Sequence, residues 1–380
     1  MKKKYIILSI ITLVLLITFV TSFNYFKTSN TYVENNSNNQ TKITKGISMN
    51  LEQTAGAGDY KQVTQSSWPT EGYKFNAELS KCENGGEISW DDTKKAVIVS
   101  GNLSDKCYVY FDIYQLTLAE YIKSQYTGTQ GENNIYYHDS SLANGAGDNS
   151  YRYAGASDSV NNYICLGSDA TTCPDANLFR IIGVFGNQTK VIRAKSVGYQ
   201  QWHTSADNTW SSSSLNAYLN GTYLTSLGTI AEKIATTTWK VGGGSGSNIS
   251  ASVPKTAYKN EVGSSASTTI IDKKIGLMYV SDYGFAASPS AWTKILGDYD
   301  GTDANGTSIK TINWMYMGYN EWTISRNSDF SHRAFGVSSN GYVLNYNVGS
   351  NCGVRPSFNL ESSVKYVSGS GSMSDPVRVN

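Results

Sequence analysis

A thiol and an imidazole in the last third of the chain are the side chains best suited to nucleophilic chemistry. Cys352 and His332 can form an activated thiolate when a fold brings them together. Cys352 stands just before a predicted core strand at residues 354–360, which favours a buried structural cysteine. We therefore predict no catalytic residue, and an envelope enzyme that uses Cys352 and His332 is kept as an alternative function.

The patterns for metal binding and serine catalysis are weaker. The histidines at positions 138, 203 and 332 lack the spacing of zinc ligands, and no serine lies in a G-x-S-x-G motif. One oxygen-rich run could bind Ca²⁺, but it lacks the bidentate Glu of an EF-hand, and an exposed acidic turn is favoured. It consists of Asp298, Asp300, Asp303 and Asn305. We predict no metal and no cofactor.

Aromatic residues cluster in the final third of the chain. Partly exposed rings can stack on sugars or anchor a protein partner, and polar groups in an adjoining loop can orient a ligand. We expect about half of these aromatics to be core packing, with Trp322 and Phe358 among them. The predicted ligand-binding residues are Tyr316, Tyr319, Arg326, Asn327, Asp329, Tyr342 and Tyr346.

Charge excludes one class of partner. The formal net charge is +1 and charged residues make up 16% of the chain, below the roughly 25% of an average domain. Because no basic patch is evident, we predict no nucleic-acid partner. The chain is instead rich in Ser, Thr, Asn and Gly and has 27 tyrosines, which indicates a neutral surface that can hydrogen-bond and stack.

The N-terminus has the pattern of a membrane-targeting segment. Lys2, Lys3 and Lys4 precede an uncharged run over residues 5–23. At about 1.5 Å per residue this run nearly matches a hydrocarbon core of about 30 Å, and the lysines predict a cytoplasmic N-terminus. We predict a cytoplasmic stub and transmembrane signal anchor over residues 1–23, in a single-pass cell-membrane protein with an extracellular C-terminal domain. A cleaved signal peptide is the alternative.

Three further segments follow. Residues 24–66 are polar and predict a disordered tether. Residues 67–114 alternate apolar and polar side chains and predict a small antiparallel β-module. Residues 115–380 predict one α+β domain with a capping box at Thr117 and Glu120. Within it, Leu178–Phe185 is a predicted strand paired with residues 190–194, and spaced apolar residues over 224–234 indicate a helix.

Five cysteines become candidates for disulfides once the chain is exported. Cys82 and Cys107 bracket a short β-patterned stretch, and Cys165 and Cys173 bracket a polar loop, so we expect these two pairs. The first would stabilise its module by roughly 3–4 kcal/mol in the chain-entropy model. Cys352 is then left over, either buried or available to a partner, and the alternative is that all of the cysteines are reduced.

Four strings in the final third carry a family resemblance: N-E-W-T at 320–323, A-F-G-V at 334–337, G-Y-V at 341–343 and C-G-V-R-P-S-F at 352–358. Their order resembles the core of the C-type-lectin-like fold, including formylglycine-generating-enzyme-like proteins and the variable proteins of diversity-generating retroelements. Residues 115–367 also resemble a domain of unknown function in surface proteins of low-GC Gram-positive bacteria. The resemblance implies two helices, a β-sheet and a long binding loop. The formylglycine-generating activity would need a second cysteine near Cys352, which this sequence lacks.

The predicted fold class is therefore α+β, a C-type-lectin-like domain preceded by a small antiparallel β-module and an N-terminal transmembrane helix. The predicted function is that of a cell-surface, membrane-anchored binding or adhesion protein whose ligand is a glycan or a surface protein. Its other partner would be the membrane, through the N-terminal helix. Besides the envelope enzyme, an assembly subunit of a surface structure is a further alternative, although the prepilin signature is missing.

Overall fold

The computed structural model describes residues 46–64, 67–69, 72–102 and 105–380. They form two compact units, one ending at Gln115 and the other comprising Leu116–Asn380. Strand makes up 35% and helix 18% of the structure, so the protein is mainly β. The predicted anchor, residues 1–23, lies outside the described residues, and no helix within them is long and apolar enough to cross a bilayer.

The first unit is built from six strands: β1 (Ile47–Glu52), β2 (Tyr60–Val63), β3 (Tyr73–Cys82), β4 (Gly86–Asp91), β5 (Ala96–Gly101) and β6 (Cys107–Ile113). Four of them form a sheet with the order β2-β1-β6-β3, and β4 pairs with β5 in a separate hairpin. The small core contains the buried side chains of Met49, Leu51, Val109 and Phe111.

Two predictions for this unit are corrected. Strands β1 and β2 fall inside the segment predicted as a tether, because Met49 and Leu51 of β1 are buried in the core among otherwise polar neighbours. The sheet is also not purely antiparallel, since β1 pairs with β6 in parallel. The buried Glu52 carboxylate accepts the backbone N–H of Gly58 at 3.0 Å and of Ile113 at 2.9 Å.

The second unit contains two larger sheets and one hairpin. A nine-stranded sheet comprises β7 (Ile135–His138), β8 (Ser150–Tyr153), β9 (Tyr163–Cys165), β10 (Leu178–Phe185), β11 (Gln188–Arg193), β15 (Ile275–Gly276), β20 (Ser357–Asn359), β21 (Tyr366–Ser368) and β22 (Val377–Val379). A five-stranded sheet comprises β12 (Tyr199–Gln201), β16 (Glu321–Arg326), β17 (Arg333–Val337), β18 (Val343–Asn347) and β19 (Asn351–Gly353). The hairpin joins β13 (Thr237–Lys240) and β14 (Ile270–Lys273).

The expected α+β, C-type-lectin-like fold class is wrong, because the helices are few and short. The α-helices of the described residues are α1 (Leu118–Ser124), α2 (Ser214–Tyr218), α3 (Leu224–Ser226), α4 (Pro254–Glu261) and α5 (Val280–Ala286), and a π-helical turn, Leu219–Tyr223, joins α2 to α3. The helix expected over 224–234 gives way to a 3₁₀ segment, Gly228–Lys233. Gly228 has a φ of 55°, a left-handed conformation that ends an α-helix.

Aromatic burial fixes the core of the second unit. Six of the eight tryptophans are fully buried there, at positions 202, 210, 239, 292, 314 and 322. Trp322 and Phe358 are both in the core, as the sequence indicates. The aromatic content therefore stabilises this unit mainly by burial of apolar surface.

The cysteines form two disulfides, Cys82–Cys107 in the first unit and Cys165–Cys173 in the second. These are the pairs expected from the sequence. Cys352 is free and buried.

Candidate functional site

A pocket of about 200 Å³ lies in the second unit beside the β13–β14 hairpin. Four aromatic residues line it: Phe185 of β10, Trp239 of β13, Tyr258 of α4 and Tyr279, the residue before α5. The lining also includes charged residues, among them Lys190 of β11 and Asp282 of α5. The pocket therefore combines apolar ring surfaces with buried charge.

Two of these aromatics are fixed by their own hydrogen bonds. The indole Nε1 of Trp239 donates to the carbonyl of Lys273 at 3.0 Å. The same ring packs on Gly276, where a Cβ would lie only 2.9 Å away. The Tyr279 hydroxyl accepts the backbone N–H of Lys240 at 3.0 Å and donates to its carbonyl at 3.1 Å. The hairpin thus holds both rings in one position.

A buried ion pair joins Lys190 and Asp282. Lys190 Nζ lies 2.5 Å from Asp282 Oδ2, and both side chains are almost fully buried. Asp282 also caps α5, because the same Oδ2 accepts the backbone N–H of Tyr279 at 2.8 Å. Burial lowers the pKa of Lys190, and the Asp282 charge opposes that shift. Asp282 therefore favours the charged form of the lysine.

Aromatic rings surround the Lys190 ammonium. Its Nζ lies 4.6 Å from the ring centroid of Tyr279, 5.5 Å from that of Trp239 and 5.7 Å from that of Phe185. Cation–π contacts at such distances are worth about 2 kcal/mol when they are desolvated. They offset part of the cost of burying the charge.

Arg152 of β8 is a second buried cation in the pocket lining. Its Nη2 lies 2.6 Å from Asp148 Oδ2, its Nε donates to Ser150 Oγ at 2.8 Å, and its Nη1 is 3.7 Å from Asp282 Oδ1. Burial acts to raise the pKa of Asp148, but the Arg152 charge and a hydrogen bond from Ser150 outweigh it and lower the pKa to about 2. Asp148 is therefore ionised and committed to Arg152.

Glu261 at the end of α4 supports the start of α5. Its carboxylate accepts the backbone N–H of Val280 at 3.0 Å and of Ser281 at 2.8 Å, and also the Ser325 hydroxyl. Burial raises the pKa of this carboxyl group. Because Glu261 is not part of the pocket lining, its role is to hold α5 in place.

Unused hydrogen-bonding capacity remains in the pocket. Among the described residues, Asp282 is the one hydrogen-bond acceptor for the three N–H groups of Lys190 Nζ. Asn359 of β20 donates through Nδ2 to Thr237 Oγ1 at 3.0 Å, whereas its buried Oδ1 has no partner within the described part of the chain. The lining thus contains unused donors at Lys190 and a buried acceptor at Asn359 that has no partner within the described residues.

The tyrosines predicted to bind a ligand lie outside this pocket and make their own contacts. Tyr316 donates its hydroxyl to the carbonyl of Ser339 at 2.6 Å. The ring of Tyr346 packs edge-on against the buried Trp322, with centroids 5.8 Å apart. Tyr319 packs against Tyr199, and Tyr342 is half-buried. Tyr199, which the sequence did not single out, is 60% exposed.

The loop of Arg326, Asn327 and Asp329 is fastened by internal hydrogen bonds. The buried Asn208 side chain donates to the carbonyls of Asn327 and Arg333, both at 2.7 Å. Arg326 Nε donates to the carbonyl of Gly242 at 2.9 Å, and Asp329 Oδ2 accepts the backbone N–H of Gly246, also at 2.9 Å. The structure brings these three predicted residues together, but their polar groups mostly bind the protein itself.

Cys352 and His332, the pair considered for nucleophilic chemistry, are poorly arranged for a reaction. Cys352 is 1% exposed, and no hydrogen bond joins it to His332 among the described residues. Burial, with a contribution from the Glu321 charge, raises the pKa of the Cys352 thiol to about 12. A thiol in this environment is protonated at neutral pH, whereas the reactive form is the thiolate.

Cys352 is accordingly expected to resist alkylation in the folded protein. Iodoacetamide at neutral pH should label it at least about a hundredfold more slowly than after unfolding in urea, because both burial and the raised pKa suppress the thiolate. Mass spectrometry of the labelled peptide would measure both rates. Rapid labelling of the native protein would instead support the envelope-enzyme alternative.

The acidic run around Asp303 forms a turn. The Asp303 carboxylate accepts the backbone N–H groups of Asn305 at 2.9 Å and Thr307 at 2.8 Å. No cluster of His, Cys, Asp and Glu suited to a metal ion occurs in the described part of the chain. The carboxylate oxygens here close a loop in the way of an Asx-turn.

The fold and the pocket define a mainly β domain with a buried, aromatic-lined ion pair. Residues 186–362 match the family model described as Domain of unknown function (DUF6273). The matched stretch includes Lys190, Trp239, Tyr279 and Asp282, whereas Arg152 precedes it. Neither the curated proteins nor the solved structures include a match to this chain.

Sequence reasoning missed the pocket, although one signal for it was present. Lys190 precedes the apolar Val191 and Ile192 in strand β11, whose residues from Thr189 to Arg193 are all buried. Lysine is almost never fully buried without a partner. A lysine in such a strand therefore indicates a buried counter-charge, but nothing local identifies Asp282, which lies 92 residues later.

Proposed function

We propose that the second unit is a ligand-binding module and that the pocket beside Trp239 is its binding site. The observation that carries this proposal is the unpartnered Asn359 Oδ1, which is buried in the described structure and belongs to the same lining as Lys190. Buried polar atoms are paired in the large majority of cases. A bound molecule is the partner that this pocket is suited to supply.

The charge arrangement favours binding over covalent chemistry. A lysine nucleophile must lose its proton, whereas Asp282 at 2.5 Å stabilises the ammonium of Lys190. The neighbouring carboxylates are occupied by Arg152 and by the backbone of α5. The site therefore has fixed groups for recognition, and no carboxylate among its described residues is free to act as a general base.

The proposed place of action is outside the cytoplasm. Two disulfides support it, because such bonds persist in oxidising compartments and are rare in the cytosol. At about 200 Å³ the pocket is smaller than the roughly 300–1,000 Å³ of sites for drug-sized ligands. The ligand is accordingly a small molecule or the exposed end of a glycan or peptide.

Filling the pocket should weaken this binding. We expect a panel of monosaccharides, acidic sugars, amino acids and N-acylated amino acids to include a ligand that raises the melting temperature of the purified full chain. Val262 also lines the pocket, and Val262→Trp should weaken that ligand at least about tenfold by occupying its space, a loss of about 1.4 kcal/mol. Isothermal titration calorimetry would measure the affinity.

A matched control is available in the same unit. Val367 is 49% exposed and is not part of the pocket lining, so Val367→Trp should leave the affinity unchanged. Thermal unfolding without ligand establishes that both variants are folded. Unaltered binding by the folded Val262→Trp protein would place the binding site elsewhere.

A further inference from the structure

Cations outnumber carboxylates among the side chains that line the pocket. Arg152, Lys190 and Lys240 are in the lining, against Asp282 alone. Asp148 and Glu261 lie behind these groups, and their oxygens are engaged by Arg152 and by the start of α5. The charged residues of the lining are therefore predominantly positive, although the surrounding cluster is close to neutral.

The unused hydrogen bonds at this positive end are donors. Lys190 Nζ has one acceptor among the described residues, and Arg152 Nη1 lies 3.7 Å from the nearest Asp282 oxygen, beyond hydrogen-bond distance. A hydrogen-bond acceptor on the ligand would supply the missing partner of both the Lys190 Nζ and the Arg152 Nη1 groups. A charged acceptor would form the strongest hydrogen bonds with these two cations, because hydrogen bonds between ionised groups are about twice as strong as neutral ones.

The opposite requirement holds at Asn359. In the structure its Nδ2 donates to Thr237 Oγ1 at 3.0 Å, and its Oδ1 is left as an acceptor. A ligand that satisfies it must carry a hydroxyl or N–H. The small volume of about 200 Å³ and the rings of Trp239, Tyr258 and Tyr279 leave space for one ring or a short chain.

We infer that the pocket recognises its ligand through a carboxylate bound by Lys190 and Arg152, with a hydroxyl or N–H donor of the same ligand bound by Asn359. This inference rests on the proposed function and adds the chemical class of the ligand. An acidic sugar and the C-terminal residue of a peptide share this chemistry. Glucuronate and N-acetylalanine are simple representatives of the two sources.

The test compares each acid with its own amide on the purified full chain. By isothermal titration calorimetry, glucuronate or N-acetylalanine should bind at least about tenfold more tightly than glucuronamide or N-acetylalanine amide, since a hydrogen bond to a charged group contributes about 1.5–3 kcal/mol. Binding of glucuronate would identify the ligand as an acidic sugar, and binding of N-acetylalanine would identify it as the C-terminal residue of a peptide. Equal affinities of acid and amide, or binding of inorganic phosphate as tight as that of the acid, would overturn the carboxylate assignment.

Substitutions in the pocket lining test the contacts of the two ends of the ligand separately. Lys190→Gln should strongly reduce the preference for acid over amide. Asn359→Leu should weaken acid and amide alike, by about tenfold. The exposed Lys195, paired with Asp175, provides the control Lys195→Gln. This substitution should change neither the preference for acid over amide nor the affinity for the two ligands. An undiminished preference in a folded Lys190→Gln protein contradicts the inference.

The outcome also distinguishes this inference from the proposed function. A neutral ligand whose binding is lost in Val262→Trp, with no preference for acids, would leave the pocket as the binding site but refute the carboxylate. Absence of binding by the acids and by the whole panel would refute both.

Discussion

Replacing Arg355 by Met is expected to lower the free energy of unfolding of the second unit by about 3–5 kcal/mol, because it leaves a buried carboxylate without its partner. Arg355 and Glu321 are 1% and 2% exposed. Arg355 Nε lies 2.5 Å from Glu321 Oε1, and Nη2 donates to Oε2 at 2.9 Å and to the carbonyl of Met315 at 2.7 Å. Without the guanidinium, Glu321 must be protonated or remain an unpaired charge.

The double variant Arg355→Met/Glu321→Leu should recover most of the loss, since an apolar pair can replace a buried ion pair with little change in stability. Urea unfolding of the full chain, followed by amide exchange of peptides from β16 and β19, would report on the second unit alone. The exposed pair of Lys195 and Asp175 gives the control Lys195→Met, expected to cost less than about 1 kcal/mol. An equally small loss of unfolding free energy for Arg355→Met would show that the ion pair of Arg355 and Glu321 is dispensable.

Removing the Cys82–Cys107 disulfide should destabilise the first unit by about 3.5 kcal/mol in the chain-entropy model, given the sequence separation of 25. The unit has a small core, so this loss is a large fraction of the stability that such a unit can reach. The double variant Cys82→Ala/Cys107→Ala avoids new free thiols. Limited proteolysis and amide exchange of β3 and β6 would measure the increase in unfolding.

The second disulfide provides the comparison. Cys165–Cys173 has a sequence separation of 8, for which the same model gives about 2.5 kcal/mol. Cys165→Ala/Cys173→Ala should therefore have the smaller effect, in a unit with a far larger core. The reverse order would mean that local packing, rather than loop closure, determines the contribution of each disulfide.

Local patterns in the sequence were sufficient for several elements of the fold. The capping box at Thr117 and Glu120 is confirmed at the start of α1. The apolar run Leu178–Phe185 is a strand, and it pairs antiparallel with β11 as expected. These features depend on residues within one turn or one hairpin, so a short window contains the information that specifies them.

Other elements depend on partners that are distant in the chain. Strand β1 is stabilised by parallel pairing with β6, so Ile47 lies beside Cys107, and no local pattern encodes that contact. The expected helix over 224–234 has the right apolar spacing, but the left-handed Gly228 interrupts it. The pocket likewise unites Arg152, Lys190 and Asp282 from three separate segments, and no motif spacing relates them.

The sharing of Asp282 between α5 and Lys190 has a kinetic consequence. One carboxylate oxygen fixes the start of the helix and the lysine together, and the hairpin holds the rings of Trp239 and Tyr279. A molecule entering the pocket meets side chains that are already ordered, so little conformational entropy is lost on association. Substitutions in the pocket should therefore change the residence time of the ligand much more than its rate of association.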